Sequence, residues 1–226
     1  MDGDIEPLVI DNGTWMIKAG NAGDKTARVY VRTMIGTTPA DHDSAGIKLF
    51  GDKIYSNKEC TLTFAMDRGA VCNWDYMESI WEYIFMNEIQ DGIEGRHVLI
   101  TEVPGNSPSN RQKMVEILIE KFGVSAVFIT DPAGLALISS GRDTGVVLDV
   151  GGSVTHVTAL YQGSNLIPND QLDEAGKQTC CCRSDIGGND ITKYLSKLVE
   201  HKLVTAKSLD LDRSGTLFEL EDLKHS

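Results

Sequence analysis

One short pattern occurs twice in this chain, and it limits the fold more than anything else in the sequence. An apolar strand runs into an aspartate, a glycine turn follows, and a second strand returns. The first copy is Leu8-Val9-Ile10, then Asp11-Asn12-Gly13, then Trp15 to Gly20. The second is Gly145 to Leu148, then Asp149-Val150-Gly151-Gly152, then Val154 to Tyr161. A tight glycine turn between apolar runs predicts a β-hairpin. Small residues at a hairpin tip let backbone N–H groups face an anion, because no side chain blocks the approach. Two such hairpins facing each other make a clamp for a polyphosphate. An aspartate at each strand end suits the water shell of magnesium, which keeps most of its waters. Lys18 adds a point charge for phosphate.

Between and after the hairpins, strands alternate with helices, which predicts an α/β chain. Strands are expected at Ala27–Met34, Lys48–Tyr55, Thr61–Phe64, Val98–Thr101 and Ala126–Ile129. Residues 38–47 read as a polar loop, and Pro104–Asn110 as another. A helix is expected over Asp75–Glu88, with Met77, Ile80, Trp81, Ile84 and Phe85 at three- and four-residue steps. Asn73 or Asp75 is placed to cap it. Arg111–Phe122 repeats the pattern through Met114, Ile117, Leu118 and Phe122. Ala133–Ser139 is a short apolar helix closed by Gly141. Asp190–His201 is amphipathic, with Ile191, Tyr194, Leu195 and Leu198 expected inward. Residues 162–187 have no clear pattern.

Charge narrows the partners. There are 33 acidic against 21 basic residues, a net charge of −12. Coating a nucleic-acid duplex or an anionic membrane needs a positive footprint, so neither is expected. A small anion held by backbone amides remains compatible. No apolar run approaches a membrane span, and the acidic opening is unlike a targeting leader. Five cysteines, three of them consecutive at 180–182, make no disulfide framework. Reduced thiols in the cytoplasm or nucleus are expected.

At these same residues the chain resembles the actin family. The resembling stretches are DNGTWMIKAGNAGD (11–24), CNWDYMESIWEYIFMNEI (72–89), LITEVPGNSPSNRQKM (99–114), SSGRDTGVVLDVGGSVTHV (139–157) and DIGGNDITKYLSKLV (185–199). They occur in family order from about Leu8 to about Val199. The resemblance implies the actin-type ATPase fold, which is ribonuclease H-like. It implies a first lobe over 1–140, with a small inserted subdomain about 33–69, and a second lobe beginning at 141–226 that is expected to be truncated. It places Asp11, Asn12, Gly13, Thr14, Trp15 and Lys18 in the first phosphate loop. It places Asp149, Gly151, Gly152, Ser153 and Val154 in the second. Asp11 and Asp149 would reach a magnesium ion through water, and His156 would lie near the attacking-water side. ATP with magnesium is the implied cofactor.

Departures from the family pattern bear on activity. Trp15 stands where the family has a small glycine; its indole either crowds the γ-phosphate or packs away. Pro132 stands where the family's water-positioning glutamine would be, and proline has no side-chain donor. Gly152 replaces an acidic residue, and Arg68 stands at a family histidine. The implied reading is an actin-like cytoskeletal or actin-related protein, deficient in hydrolysis, that serves as a structural or assembly subunit. Actin, other actin-family subunits and actin-binding proteins are the implied partners. Localisation would be cytoplasmic, at the cytoskeleton, with the nucleus as alternative. Rival readings are an active ATPase with Asp131 or a partner completing the site, and a nuclear subunit of a chromatin complex.

A separate signal lies in the tail. Residues 210–221 match a calcium loop, with oxygen ligands at Asp210, Asp212, Ser214, Thr216 and Glu221 and glycine at the sixth position. That predicts a calcium-responsive interaction module. The competing reading is a capped turn opening a final helix over Thr216–Lys224.

Overall fold

The structure is a computed structural model that describes residues 6–39, 46–89, 92–166, 181–202 and 209–225. The first hairpin forms as the sequence predicts. Strand β1 (Leu8–Asn12) pairs antiparallel with β2 (Met16–Asn21), and β2 pairs with β3 (Val29–Arg32). The single strand expected over Ala27–Met34 is in fact two, because the chain breaks at buried Thr33 before β4 (Met34–Thr37). Thr33 is drawn out of line by the hairpin tip. Its N–H donates to the Trp15 carbonyl at 3.2 Å and its Oγ1 to the Gly13 carbonyl at 2.6 Å.

The strand expected over Lys48–Tyr55 is also corrected. β5 holds only Lys48–Leu49. Gly51 then takes φ 54°, a turn that glycine adopts easily, and leads into helix α1 (Asp52–Ser56), which buries Ile54. Strand β6 (Thr61–Phe64) returns beside β4, giving a small sheet ordered β5-β4-β6. The polar loop expected at 38–47 lies in part, at 40–45, outside the described residues. Strands β7 (Met66–Asp67) and β8 (Ala70–Val71) form a short hairpin of their own.

Helix α2 (Trp74–Tyr83) is capped by Asn73, whose side chain accepts the Tyr76 N–H. A wide π-type turn over Ile84–Glu88 extends it. All five periodic apolar residues of this segment are buried. Strand β9 (His97–Thr101) follows, then helix α3 (Pro108–Glu116), which starts earlier than expected because Ser107 caps it and Pro108 suits its first turn. Strand β10 (Ala126–Thr130) and helix α4 (Pro132–Ser139) close this half. The main sheet is ordered β10-β9-β1-β2-β3, with β9 parallel to both β1 and β10. Leu8, Ile10, Ile17, Ala19, Val98 and Ile100 of the sheet join Met77, Ile80, Trp81, Met114 and Leu118 of the helices in one core. This core holds the base of the first hairpin rigid.

The second hairpin pairs β11 (Gly145–Val150) with β12 (Thr155–Tyr161). Strands β13 (Ser164–Asn165) and β14 (Cys181–Ser184) both add to the far edge of β12. They are the described parts of the segment without a sequence pattern; residues 167–180, including Cys180, lie outside the described residues. Helix α5 (Gly188–Lys202) follows, and then α6 (Ser214–His225).

Helix α5 does not turn the face expected. Ile191, Tyr194 and Leu198 are exposed, while Thr192 and Ser196 are buried. The physical reason is a polar contact on the inner face. The Thr192 hydroxyl meets the Glu221 carboxylate of α6, and Lys224 of α6 donates to Thr192 Oγ1 at 3.0 Å. The pairing of buried polar groups sets the rotation of this helix, which its apolar periodicity alone does not. On its other side α6 packs against the small sheet, where Leu217 joins Met34, Ile54, Cys60 and Leu62, and Phe218 stacks on Tyr55 with ring centroids 4.1 Å apart. No helix among the described residues is long and apolar enough to cross a membrane.

Candidate functional site

The two hairpins share more than a turn. In the first, Asp11 lies across from Lys18; in the second, Asp149 lies across from His156. Both pairs are seven residues apart, so each tip carries a carboxylate opposite a nitrogenous side chain at the same register. Asp11 receives the Thr101 hydroxyl at 2.9 Å and the Lys18 ammonium at 3.1 Å. Lys18, expected as a free phosphate contact, is therefore already paired. Thr101 also accepts the Asn12 N–H at 2.9 Å, and the Asn12 side chain accepts the Trp81 indole N–H at 3.2 Å. Asn12 thus bolts the hairpin to the core, and it also lines the cavity between the hairpins. Gly13 is required by space: a Cβ there would lie 2.6 Å from the Met16 carbonyl oxygen.

Backbone anchors orient the tips. In a planar trans peptide the N–H points opposite the preceding carbonyl. The Gly13 carbonyl is held by Thr33, which turns the Thr14 N–H the other way. In the second tip, the Gly151 carbonyl accepts the Gly188 N–H at 3.0 Å and the Gly152 carbonyl accepts the Asn189 N–H at 2.7 Å. The Ser153 carbonyl accepts from Arg68 Nη1 at 2.8 Å. Three consecutive N–H groups, of Gly152, Ser153 and Val154, are thereby turned away from α5 and Arg68. Successive backbone N–H groups turned to one side can receive an anion. Gly187 permits it, because a Cβ there would lie 2.6 Å from the Ser153 backbone.

Arg68 is the residue whose role the sequence did not show. It sits at φ 48°, a left-handed conformation uncommon for a residue with a side chain. Its guanidinium grips both Asp190 carboxylate oxygens, at 2.7 and 3.0 Å, and the Asp185 carbonyl at 2.8 Å. Its own carbonyl accepts from Arg183 at 2.8 Å. One side chain from the β7–β8 turn therefore fastens the second tip and the start of α5 to the first half of the molecule. The Arg68 guanidinium holds the Asp190 carboxyl below the usual carboxylate range.

The Trp15 indole packs on the small-sheet side, and Trp15 also borders the cavity between the hairpins. Its ring joins the small-sheet core and lies 4.6 Å under the Arg32 guanidinium. Its Cβ faces the second tip instead. A Cβ on Gly152 would lie 2.7 Å from it. The two departures at positions 15 and 152 are thus one adjustment, a larger residue on one tip met by bare backbone on the other.

Between the hairpins lies a cavity of about 760 Å³, lined by Asp11, Gly13, Thr14, Lys18, Asp149, Gly151, Val154 and His156 among others. Pro132 lines it too. Asp131 does not point a free carboxylate into it. Its side chain caps α4 by accepting the Ala133 N–H at 2.8 Å, and burial pushes its carboxyl above the usual range. The buried Ser153 Oγ, His156 Nε2 and Thr158 Oγ1 have no hydrogen-bond partner among the described residues. Of these residues only His156 lines the cavity, where its unpartnered nitrogen can meet a polar guest.

His156 carries a pH dependence. Burial lowers its pKa from the ordinary 6.5, and Arg183 nearby lowers it further, against the pull of Asp149, Asp131 and Asp185. The folded chain therefore binds fewer protons here than the unfolded chain once pH drops below about 6.5. Stability is expected to fall as pH falls through that window. Melting curves from about pH 7.5 to about pH 5.5 check this, with His156→Asn flattening the slope.

The calcium loop is corrected by the geometry. Helix α6 starts inside it, and the Asp210, Ser214 and Glu221 side chains have other partners. The Asp212 carbonyl accepts the Leu62 N–H at 2.6 Å, and the Ser214 hydroxyl is buried and donates to the Asn57 carbonyl at 2.5 Å. Helix α6 begins at Ser214, so Thr216 lies inside its first turn. Glu221 is buried against Thr192 and bonds Lys224 at 2.8 Å. Asp210 pairs with Arg213 at 3.6 Å. No group of three or more acidic, histidine or cysteine side chains among the described residues is arranged to hold a metal ion directly. Asp11 and Asp149 suit an ion that keeps its own water, as magnesium does.

The geometry and the sequence meet in one comparison. The actin family model matches residues 2–212, which takes in both hairpins, the small sheet, α5 and the approach to α6. That match covers most of the chain, and it accounts for the mixed sheet with paired Asp–Gly hairpins. The chain belongs to the actin family.

Proposed function

We propose that this chain is a nucleotide-binding, hydrolysis-deficient member of the family that acts as a subunit of a larger assembly. The observation that carries the proposal is Pro132 in the wall of the cleft. The tips supply turned-out amides, and Asp11 and Asp149 supply the ends of a magnesium water shell. When bound, magnesium would neutralise phosphate charge. Pro132 has nothing with which to orient a water, and Asp131 is spent on capping α4. Absence of a positioning group costs about 10²–10⁴ in rate. His156 is held neutral and is buried, so it lends polarity without charge.

The assembly role is supported by apolar surface. Val146 on β11 and Ile138 on α4 are 71% and 64% exposed, while Leu148 and Val150 of β11, 65% and 63% exposed, border the cleft itself. Side chains of this kind on a free sheet face favour association. Actin, other actin-family subunits and actin-binding proteins are the partners that this reading implies, in the cytoplasm at the cytoskeleton or in the nucleus. With a net charge of −12, direct contact with nucleic acid or an anionic membrane forms no part of it.

Phosphate release from magnesium-ATP tests the reading. Wild type is expected at the blank rate, and Pro132→Gln at or above it. Steady turnover by wild type, or a fall on Pro132→Gln, would show that the chemistry runs through residues other than those assigned.

A further inference from the structure

We propose that helix α6 is a strap joining the two halves of the molecule, and that its contacts set how fast the cleft between the hairpins opens to take up or release a nucleotide. This rests on the phosphate-cleft reading above and adds a kinetic control to it. The first hairpin and the small sheet belong to one half, the second hairpin and α5 to the other. Helix α6 follows α5 in the chain, yet one side of it is packed into the first half. Leu217 is buried with Met34, Ile54, Cys60 and Leu62. The backbone before it adds to this grip, as the Ser214 N–H donates to the Cys60 carbonyl at 3.2 Å and the Gly215 N–H to the Lys58 carbonyl at 3.1 Å. On the side of the second half, Glu221 and Lys224 are both bonded to Thr192 of α5.

A continuous stack runs from the strap to the cleft. Phe218 of α6 lies on Tyr55 with ring centroids 4.1 Å apart. The Arg32 guanidinium lies 5.6 Å from the Tyr55 ring centre and 4.6 Å from that of Trp15, and its Nε donates to the Tyr55 hydroxyl at 2.5 Å. Trp15 borders the cavity. Drawing the halves apart therefore means lifting Phe218 from Tyr55 and Leu217 from the small core, or breaking the buried Glu221–Thr192–Lys224 group, each of which costs free energy. Leu217, Phe218, Glu221 and Lys224 do not line the cavity. The strap therefore acts on the empty and the filled cleft alike. A contact that is equal in both states slows entry and exit together and leaves affinity in place.

Stopped-flow mixing of the full chain with a fluorescent magnesium-ADP analogue, followed by displacement with excess ADP, reads the two rates separately. Phe218→Ala cuts the small-sheet end of the strap, and the nearly isosteric Thr192→Val cuts the α5 end. Each is expected to raise both rates by about fivefold to tenfold while Kd stays within about threefold. The Arg68 clasp is intact in both variants, so a change in rates belongs to α6. A melting curve shows which variants fold, and Thr192→Val carries the test if Phe218→Ala does not. Unchanged rates in a folded variant overturn the inference. Faster release alone, with affinity falling by the same factor, also overturns it, because general loosening of the site gives that result. Wild type that binds no ADP overturns the phosphate-cleft reading itself, which is a different result from rates that fail to move together.

Discussion

Trp81→Ala is expected to lower the free energy of unfolding by about 3–5 kcal/mol, and with it the melting temperature by roughly 6–20 °C. Trp81 is fully buried at the centre of the main core and packs edge-on to Trp74 with centroids 6.2 Å apart. Truncation leaves a large cavity between α2 and the sheet. It also orphans the Asn12 carboxamide oxygen, which accepts the indole N–H at 3.2 Å. Asn12 lies one residue past Asp11, so the damage should extend to the first tip. Denaturant melts read the stability. Trp81→Phe separates the two effects, because it keeps most of the volume and loses only the donor. Its smaller loss should still exceed that of a conservative aromatic exchange elsewhere, since a buried acceptor left unsatisfied costs about 1–3 kcal/mol.

Asp11→Ala is expected to weaken magnesium-nucleotide binding by about 10–100-fold, the usual effect of removing a group that orients a metal's inner shell. The carboxylate touches Thr101 and Lys18 and lies in the cavity wall, partly exposed rather than packed in the core. Its removal should therefore leave the melting curve of the free protein nearly in place while lowering affinity. The measurement is titration with magnesium-ADP beside a thermal melt of each variant. Unchanged affinity would remove Asp11 from the site. A collapse of stability instead would make it a structural residue that happens to border a cavity.

Much of this arrangement was legible because it is local. Each hairpin is written in one unbroken stretch of sequence, Leu8–Asn21 and Gly145–Tyr161, and the glycines at 13 and 151 mark its tip directly. The helix over Trp74–Tyr83 and its extension to Glu88 were legible for the same reason, since Met77, Ile80, Trp81, Ile84 and Phe85 recur at helical steps and Asn73 is a ready cap. The seven-residue spacing shared by Asp11–Lys18 and Asp149–His156 was also present in the sequence, and it would have shown that both tips carry the same pair.

What was not legible depends on groups distant in sequence. The calcium-like pattern at 210–221 is a match of residue types only. Its Ser214 hydroxyl is bonded to Asn57 and its Glu221 carboxylate to Thr192, and no local pattern reveals that. The same buried Glu221 turns α5 so that Ile191 and Tyr194 face outward, against their periodicity. Arg68 could be read only as a substitution until its guanidinium was seen on Ser153, Asp185 and Asp190, between 85 and 122 positions away. Trp15 and Gly152 looked like two independent losses. In space they meet, and each makes sense of the other.

The central claim is that the paired Asp–Gly hairpins form a working phosphate cleft. Calorimetric titration of the wild-type chain with ADP, with and without magnesium, tests it most directly. The account predicts saturable, magnesium-dependent binding near one site per chain, and a melting temperature that rises with ligand, by about 2.7 kcal/mol of added stability at a hundredfold excess over Kd. No heat of binding and no shift in melting, with wild type indistinguishable from Asp11→Ala, would contradict it and leave the hairpins as inherited scaffold alone.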